Sequence, residues 1–344
     1  MPSKKVLLTG ATGLLGSNLL HHLIREGYHV FAIKRNKSDL SLCPESSKIT
    51  WINIDSIDVE SVIGLNIPFN YIIHAAGFIS YQKKDKAKLF EVNTKLTTKM
   101  GIAALKLNVE KFILVSSISA IGKQDPSKIL DETTPWDKNQ FSSNYGRSKK
   151  AAEESIKTLS KEKGLPYLIF NPSIIVGPAK PDQSSARLIG YVADGKPFYT
   201  SGMLNYIFVD DVSSAIIKGI KSSYINQQWI LNGGWISYKG FFSIVANYMN
   251  VKPPQYNVPK FAVLAGALLE NIYSRIKGKT PTLSMETARM AGSKNIYSAA
   301  KVKRDIKIDF SPLADAVKNT IDTMKINDWL KTIIFIPALL ILTL

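Results

Sequence analysis

The stretch that most constrains this chain is Thr9-Gly10-Ala11-Thr12-Gly13-Leu14-Leu15-Gly16, set between the apolar run Val6-Leu7-Leu8 and the helical pattern opening at Ser17-Asn18-Leu19-Leu20. A strand that turns on glycines straight into a helix gathers bare backbone N–H groups and the positive helix end at one point, where a phosphate can dock. The spacing is G-x-x-G-x-x-G, one residue longer in its first gap than the G-x-G-x-x-G dinucleotide pattern. Alone, such glycines fit an ordinary strand-to-helix turn equally well. The flanking strand and helix, so near the N-terminus, favour a nucleotide site.

Short apolar runs alternate with helical stretches through the first half. Strands are expected at residues 6–9, 28–34, 50–54, 71–74 and 111–116, with one long helix over 87–106. A loop at 122–143, a helix over 145–161 and a strand at 166–171 follow. This alternation predicts an α/β fold with a doubly wound parallel sheet, whose ligands sit outside the carboxyl ends of the strands. After Pro172 the elements become shorter and less regular. Residues 1–172 are therefore expected to form a dinucleotide-binding domain to which 206–232 returns. Residues 173–205 and 233–328 would form a smaller, mainly C-terminal α/β substrate-binding domain, and 329–344 an apolar tail. A helix over 261–276 is apolar and amphipathic; such a face is usually core, and the alternative is a wall of an apolar substrate pocket.

With 344 residues, 45% of them hydrophobic, the chain can bury a full core. The single Cys43 excludes an internal disulfide and fits a reducing, cytoplasmic setting. The four histidines show no ligand spacing, so no metal is expected, and His21 and His22 are assigned to the surface of the first helix. Only Lys4 and Lys5 precede the first strand, so no secretory leader is expected. The net charge of +17 is dispersed and not interleaved with aromatics, which reads as a solvated surface and not a nucleic-acid groove. The tail 329–344 reaches only about 24 Å as a helix and contains Pro337, so it is not expected to span a bilayer. Packing on the body, peripheral membrane contact beside Lys325 and Lys331, and a homodimer contact stay open for it.

Tyr145-Gly146-Arg147-Ser148-Lys149 places a phenol and an ammonium four residues apart, on one helix face. A tyrosine is a poor acid–base group at neutral pH until a nearby positive charge favours its phenolate, and Lys149 can supply that charge. Ser116 and Ser117, at the end of an upstream strand, bring hydroxyls to the same carboxyl edge of the sheet. Ser117 and Tyr145 could there hydrogen-bond one carbonyl oxygen.

The glycine loop, Ser117, Tyr145 and Lys149 resemble the short-chain dehydrogenase/reductase superfamily. The chain length and later motifs resemble its extended branch, the NAD-dependent epimerase/dehydratase family. These motifs are His74-Ala75-Ala76-Gly77, Val92-Asn93, Asn171-Pro172-Ser173-Ile174-Ile175-Val176-Gly177-Pro178 and Tyr206-Ile207-Phe208-Val209-Asp210-Asp211-Val212. The resemblance implies a Rossmann-type sheet with Tyr145 as general acid–base, Lys149 holding the nicotinamide ribose and lowering the Tyr145 pKa, and Ser117 orienting the substrate oxygen. It implies that Gly10, Thr12, Gly13, Leu14, Leu15 and Gly16 line the pyrophosphate and that Asp55 meets the adenine; the alternative for Asp55 is a helix cap. Ala75, Ala76 and Gly77 would let the cofactor pass close over the backbone, Asn93 would tie the fourth strand edge to the long helix, and Pro172 would complete the cofactor site. Ser119, Asn171 and Ser173 join Ser117 as substrate contacts.

Where NAD-specific folds place an acid on the ribose about 20 residues past the last glycine, this chain has Lys34-Arg35-Asn36-Lys37. A guanidinium favours a 2′-phosphate, so Lys34 and Arg35 point to NADP(H), with NAD(H) open. Dehydratases of this type usually carry an Asp-Glu pair just beyond the serine or threonine; here Ile118-Ser119 stands there. Epimerases commonly set an arginine before the 206–212 motif; here Met203-Leu204-Asn205 precedes it, although Phe170-Asn171-Pro172 resembles an epimerase stretch. Residues 264–270 and 277–283 look like those of dihydroflavonol-reductase-like and 3β-hydroxysteroid-dehydrogenase-like members. The expectation is an NADP(H)-dependent oxidoreductase acting on a carbonyl or secondary alcohol of a small apolar substrate. Two alternatives remain: a nucleotide-sugar epimerase on the same Ser-Tyr-Lys site, and a non-catalytic NADP-binding regulator or membrane-associated scaffold.

Overall fold

The computed structural model describes residues 3–122, 128–137, 142–179, 185–281 and 283–326. The expectations for the tail 329–344 lie outside these residues. In chain order the strands that build the two larger sheets are β1 (Lys5–Thr9), β2 (His29–Lys34), β3 (Ile49–Asn53), β4 (Tyr71–His74), β5 (Lys111–Val115), β6 (Tyr167–Pro172), β7 (Ile174–Val176), β8 (Met203–Phe208), β9 (Gln227–Leu231) and β10 (Gly234–Ser237). The helices that bear on the site are α1 (Leu14–Arg25), α2 (Val59–Ile63), α3 (Leu96–Lys106), α4 (Asn144–Lys163), α5 (Val209–Lys221), α6 (Tyr238–Met249), α7 (Lys260–Ile276) and α8 (Met285–Met290).

Seven strands form one parallel sheet in the order β9-β6-β5-β4-β1-β2-β3. The central strands β1, β4 and β5 read as nearly continuous apolar runs because both of their faces are covered, whereas the edge strands β3 and β9 carry polar residues. Val6, Leu8, Ile73, Ile113 and Phe170 pack on one face with residues of α1 and α5. Leu7, Ile72, Phe112, Leu114 and Ile169 pack on the other with residues of α3 and α4. The order reverses between β1 and β4, which opens the crevice above the carboxyl ends of these two strands.

Beyond Pro172 the chain divides its contributions. Strand β9 pairs in parallel with β6, and α5 packs on the α1 side of the main sheet. Strand β8 does not join that sheet; it lies between β7 and β10 in a three-stranded sheet of its own. Asp210 at the start of α5 accepts from Asn18 at 2.6 Å and lies 3.2 Å from His22 Nε2. His22 is thus buried in the α1–α5 contact, not on the helix surface as its sequence position suggests.

The long helix expected over 87–106 is broken by a π-helical stretch, Phe90–Lys95, between Lys86–Leu89 and α3. The wider turn carries Asn93, whose buried side chain bonds to neighbours outside the helix. Helix α4 starts where Ser143 Oγ accepts the Gly146 N–H at 3.0 Å and ends at Gly164, whose φ of +75° suits glycine.

Two glycines show opposite demands. A Cβ on Gly16 would sit 2.0 Å from the Gly10 carbonyl oxygen, whereas one on Gly266, inside α7, meets nothing within 4 Å. Gly16→Ala is expected to lower stability by about 3 kcal/mol through overpacking against fixed backbone. Gly266→Ala should raise it by roughly 0.5–1 kcal/mol through helix propensity. Urea unfolding of the two variants checks both signs.

Candidate active site

The glycine turn begins at Gly10, with φ at +72°. Its α-carbon lies so close to the end of β4 that an added Cβ would sit 2.6 Å from Ala76 N and 2.7 Å from the Ala75 carbonyl carbon. Gly13 N donates to Gly10 O at 3.1 Å and closes the turn. Gly13 caps α1 without a side-chain hydrogen bond, and the first turn of α1 carries no acid. The N–H groups of that turn therefore keep their capacity for an anion. A Cβ on Gly13 would meet only Gly10 O, at 3.5 Å, so backbone packing does not account for this exposed glycine. Thr12 and Leu14 are half-buried beside it, while Leu15 is core.

On one flank Arg35, Asn36, Lys37, Ser38 and Asp55 line a hollow of about 490 Å³. Arg35 follows β2 in a turn closed by Arg35 N to Ser38 Oγ and Ser38 N to Arg35 O, each 3.0 Å. The Asp55 carboxylate accepts from Asn36 N at 3.2 Å and from Asn36 Nδ2 at 3.0 Å. The cap of α2 is Asp58, not Asp55. Lys34, at the end of β2, is half-buried and accepts the Ile54 N–H through its carbonyl.

On the other flank the chain leaves β4 over Ala75, Ala76 and Gly77. A Cβ on Gly77 would lie 3.3 Å from Lys149 Nζ and 3.5 Å from Asn93 Oδ1. Asn93 accepts the Phe78 N–H at 2.8 Å and donates to Phe78 O at 2.9 Å and to Ser148 Oγ at 3.0 Å. It joins the post-β4 segment to α4. The hollow at Arg35, the bare helix end at Gly13 and the low rim at Ala75–Gly77 follow one another along the sheet edge toward Lys149. These residues fit a dinucleotide.

Tyr145, Lys149 and Glu153 occupy one buried face of α4, under the end of β5. Burial pushes the Tyr145 phenol up to about 12, partly offset by the neighbouring Ser117 hydroxyl. Burial pushes the Lys149 ammonium down to about 8, and the Glu153 charge opposes this. Lys149 Nζ donates to Val115 O at 2.9 Å. The expected lowering of the Tyr145 pKa by Lys149 is therefore not what this structure displays: desolvation dominates both groups and favours their neutral forms. His74, at the end of β4, sits 2.7 Å from Thr9 Oγ1, and burial together with the Lys149 charge holds it down to about 3.

Ser117 Oγ accepts the Ser119 N–H at 3.1 Å, and Gly146 passes so close that a Cβ would lie 2.5 Å from Ser119 O. Asn171 donates through Nδ2 to Ser117 O at 2.8 Å and to Glu153 Oε1 at 2.5 Å, and its Oδ1 accepts from Gln228 at 2.9 Å. Asn171 is fully buried, both of its amide hydrogens are committed inside the protein, and it positions Ser117. Ser173 is buried with its hydroxyl unpartnered beside β7, and Pro172 closes β6.

Two residues at this site escape the sequence reading. Glu153 is fully buried, accepts from Ser116 Oγ at 2.6 Å and has its pKa raised by burial. Its spacing of four from Lys149 is the signal that marks it. Tyr81 packs edge-on against Tyr145 with ring centroids 6.1 Å apart, and it lies in an irregular loop with no pattern to announce it.

The depressed Lys149 pKa has a measurable consequence. In the unfolded chain the amine keeps its proton to about 10.5 and in the fold only to about 8, so unfolding takes up a proton between these values and stability gains with pH. Relative to Lys149→Met, the unfolding free energy of the unaltered protein should rise by roughly 2 kcal/mol between pH 7.5 and 10. Urea titrations across that range test it; a constant difference would return an ordinary lysine.

Residues 6–228 match the NAD dependent epimerase/dehydratase family. A Synechocystis sp. protein provisionally named dihydroflavonol 4-reductase is 26% identical over 340 residues, covering 94% of this chain and 96% of that protein. UDP-glucose 4-epimerase from Vibrio cholerae is 28% identical over 209 residues, covering 56% of this chain and 58% of that protein. The crystal structure of gox2253 superposes with a TM-score of 0.82 at 28% identity, covering 94% of this chain and 99% of that one. The chain belongs to the NAD dependent epimerase/dehydratase family, the extended short-chain dehydrogenases/reductases, and is a nicotinamide-dependent enzyme of that type.

Proposed function

We propose that the chain is an NADP(H)-dependent oxidoreductase that reduces a carbonyl of a small apolar substrate, or oxidises the corresponding secondary alcohol. The observation that carries this reading is the buried face of α4 that sets Tyr145 and Lys149 under the end of β5, with the Ser117 hydroxyl near the phenol and Lys149 Nζ against Gly77. When bound, the nicotinamide supplies or accepts the hydride. Tyr145, with its phenol near 12, stays loaded with a proton at neutral pH and donates it to the oxygen that becomes an alkoxide. Ser117 holds that oxygen by a hydrogen bond that strengthens as negative charge develops. Lys149 sits beside Gly77 to orient the ribose, and Asn171 fixes Ser117 from behind. Ser119 and Ser173 are proposed to border the substrate.

The preference for NADP(H) rests on Arg35 and Lys37 in the hollow that also holds Asp55. The Asp55 carboxylate is engaged by Asn36, which leaves cationic groups to meet a 2′-phosphate. An apolar substrate is supported by the Tyr81 ring, which packs edge-on against Tyr145, and by the similarity to the Synechocystis protein. A nucleotide-sugar epimerase on the same residues is the second reading, favoured by the identity to the Vibrio enzyme. Against it, Met203-Leu204-Asn205 offers no cation for a diphosphate, and Asn205 is bonded to Asn295 O and to the Tyr297 N–H.

Tyr145→Phe is expected to cut NADPH-dependent carbonyl reduction by roughly 10²–10⁴-fold while NADPH still binds. Full activity in that variant refutes the role of Tyr145. Isomerised sugar without net change in cofactor absorbance would favour the epimerase, and binding without turnover across carbonyls and sugars would favour a regulator. Arg35→Ser should weaken NADPH by about 10–100-fold and leave NADH nearly unchanged, as calorimetric titration would show.

A further inference from the structure

Helix α7 is built the wrong way round for a helix that packs on a protein core. Its inward stripe is narrow and small: Val263, Ala267 and Ser274 are buried against Leu283, Ala288 and Ala291. Its large apolar side chains point to solvent instead, with Phe261 75% exposed, Leu269 68%, Ile276 75%, and Leu268, Ile272 and Tyr273 each more than half exposed. Glu270, Asn271 and Ser274 are turned toward the protein. Asn271 donates to Leu283 O at 3.2 Å, and Glu270 accepts the Leu283 N–H at 3.2 Å. The exposed residues recur at spacings of three and four, so they form one continuous apolar stripe about 25 Å long.

Cations bracket this stripe. Lys252 and Lys260 lie toward its start, and Arg275, Lys277 and Lys279 at its end; all are exposed. Glu270 is the only acid between residues 251 and 281. A second copy laid across the stripe, parallel or antiparallel, would set cations against cations at both ends. An anionic bilayer supplies the missing counter-charge and the missing apolar phase together. The helix has 17 residues, and no described helix is long and apolar enough to cross a membrane.

We propose that the outward face of α7 is a docking surface for an anionic lipid bilayer, with the helix lying in the interface and Phe261, Leu268, Leu269, Ile272 and Ile276 among the acyl chains. The surface is tied to the active site. Gln82 Nε2, next to Tyr81, donates to Pro281 O at 2.7 Å, and Asn144 N, next to Tyr145, donates to Glu286 of α8 at 3.1 Å. A docked α7 thus places the bilayer beside the segments that border Tyr145.

The test uses the full-length protein with vesicles of phosphatidylcholine alone or mixed with phosphatidylglycerol. Sedimentation with the anionic vesicles is expected, weakened by 0.5 M salt on the order of tenfold because the flanking cations are screened. The double variant Leu269→Glu, Ile272→Glu should lose at least about tenfold in vesicle affinity with its circular dichroism and nucleotide binding unchanged. Should that variant fail to fold, Leu269→Cys carrying an NBD fluorophore reads the same face, since burial pushes the Cys43 thiol up to about 11 and slows its labelling. Its emission should rise and shift to shorter wavelength on anionic vesicles. Absence of vesicle binding, a double variant that binds as before because another segment such as 329–344 carries the contact, a dimer split by the variant without vesicle binding, or unchanged NBD emission overturns the proposal.

Discussion

The site depends on a backbone crossing that leaves no room for a Cβ. Gly10 approaches Ala75 and Ala76 within 3 Å of where its side chain would begin, and Gly16 does the same to Gly10. These contacts lock the start of α1 onto the end of β4, so the bare helix terminus and the low rim over Ala75–Gly77 form one edge. Lys149 can then lie against Gly77 while it donates to Val115 O, the last carbonyl of β5. A bulkier residue at Gly10 or Gly16 would part β1 from β4 and dissolve the trough before any reacting group was touched. The order reversal at the centre of the sheet makes such a trough possible; the glycines decide its depth.

Desolvation is the second organising force. Tyr145, Lys149, Glu153 and His74 are all buried, and in each case burial is the leading influence on the pKa. The phenol rises, the ammonium falls, the carboxyl rises and the imidazole falls; every group is driven toward its neutral form. Hydrogen bonds then hold what charge remains, from Ser116 and Asn171 to Glu153. The Glu153–Asn171–Ser117 chain links the carboxyl that opposes the lowering of the Lys149 pKa to the backbone of the residue whose hydroxyl lies near Tyr145. A change at Glu153 therefore reaches both reacting side chains through fixed groups.

Much of this was legible in the chain. The apolar runs of the central strands β1, β4 and β5 mark the sheet because both of its faces are covered, and the glycines mark the turn because only they tolerate the crossing. Tyr145 and Lys149 declare a shared face by their spacing. What the sequence hid depends on non-local packing. The π-helical stretch around Asn93 keeps a helical pattern in sequence, and only the bonds to Phe78 and Ser148 give it a reason. The bond that Asn171 Oδ1 accepts from Gln228 joins it to a strand far away in the chain, a link its sequence neighbourhood does not announce. Strand β8 carries an apolar run like those of the main sheet, yet it pairs with β7 and β10, a choice made by partners and not by composition.

Helix α7 carries that argument furthest. Its hydrophobic periodicity is genuine, and periodicity specifies a stripe without specifying which side of the helix meets protein. Two features decide the side here: small Ala267 and Ser274 permit close packing on Leu283 and Ala288, and Glu270 with Asn271 satisfies the backbone of Leu283. Flipping the helix to bury Phe261, Leu269 and Ile276 would strand those two polar side chains in solvent and leave the Leu283 amide and carbonyl without partners, a cost paid per buried group. The outward apolar face is therefore maintained by specific inward bonds, and among the described residues nothing covers it.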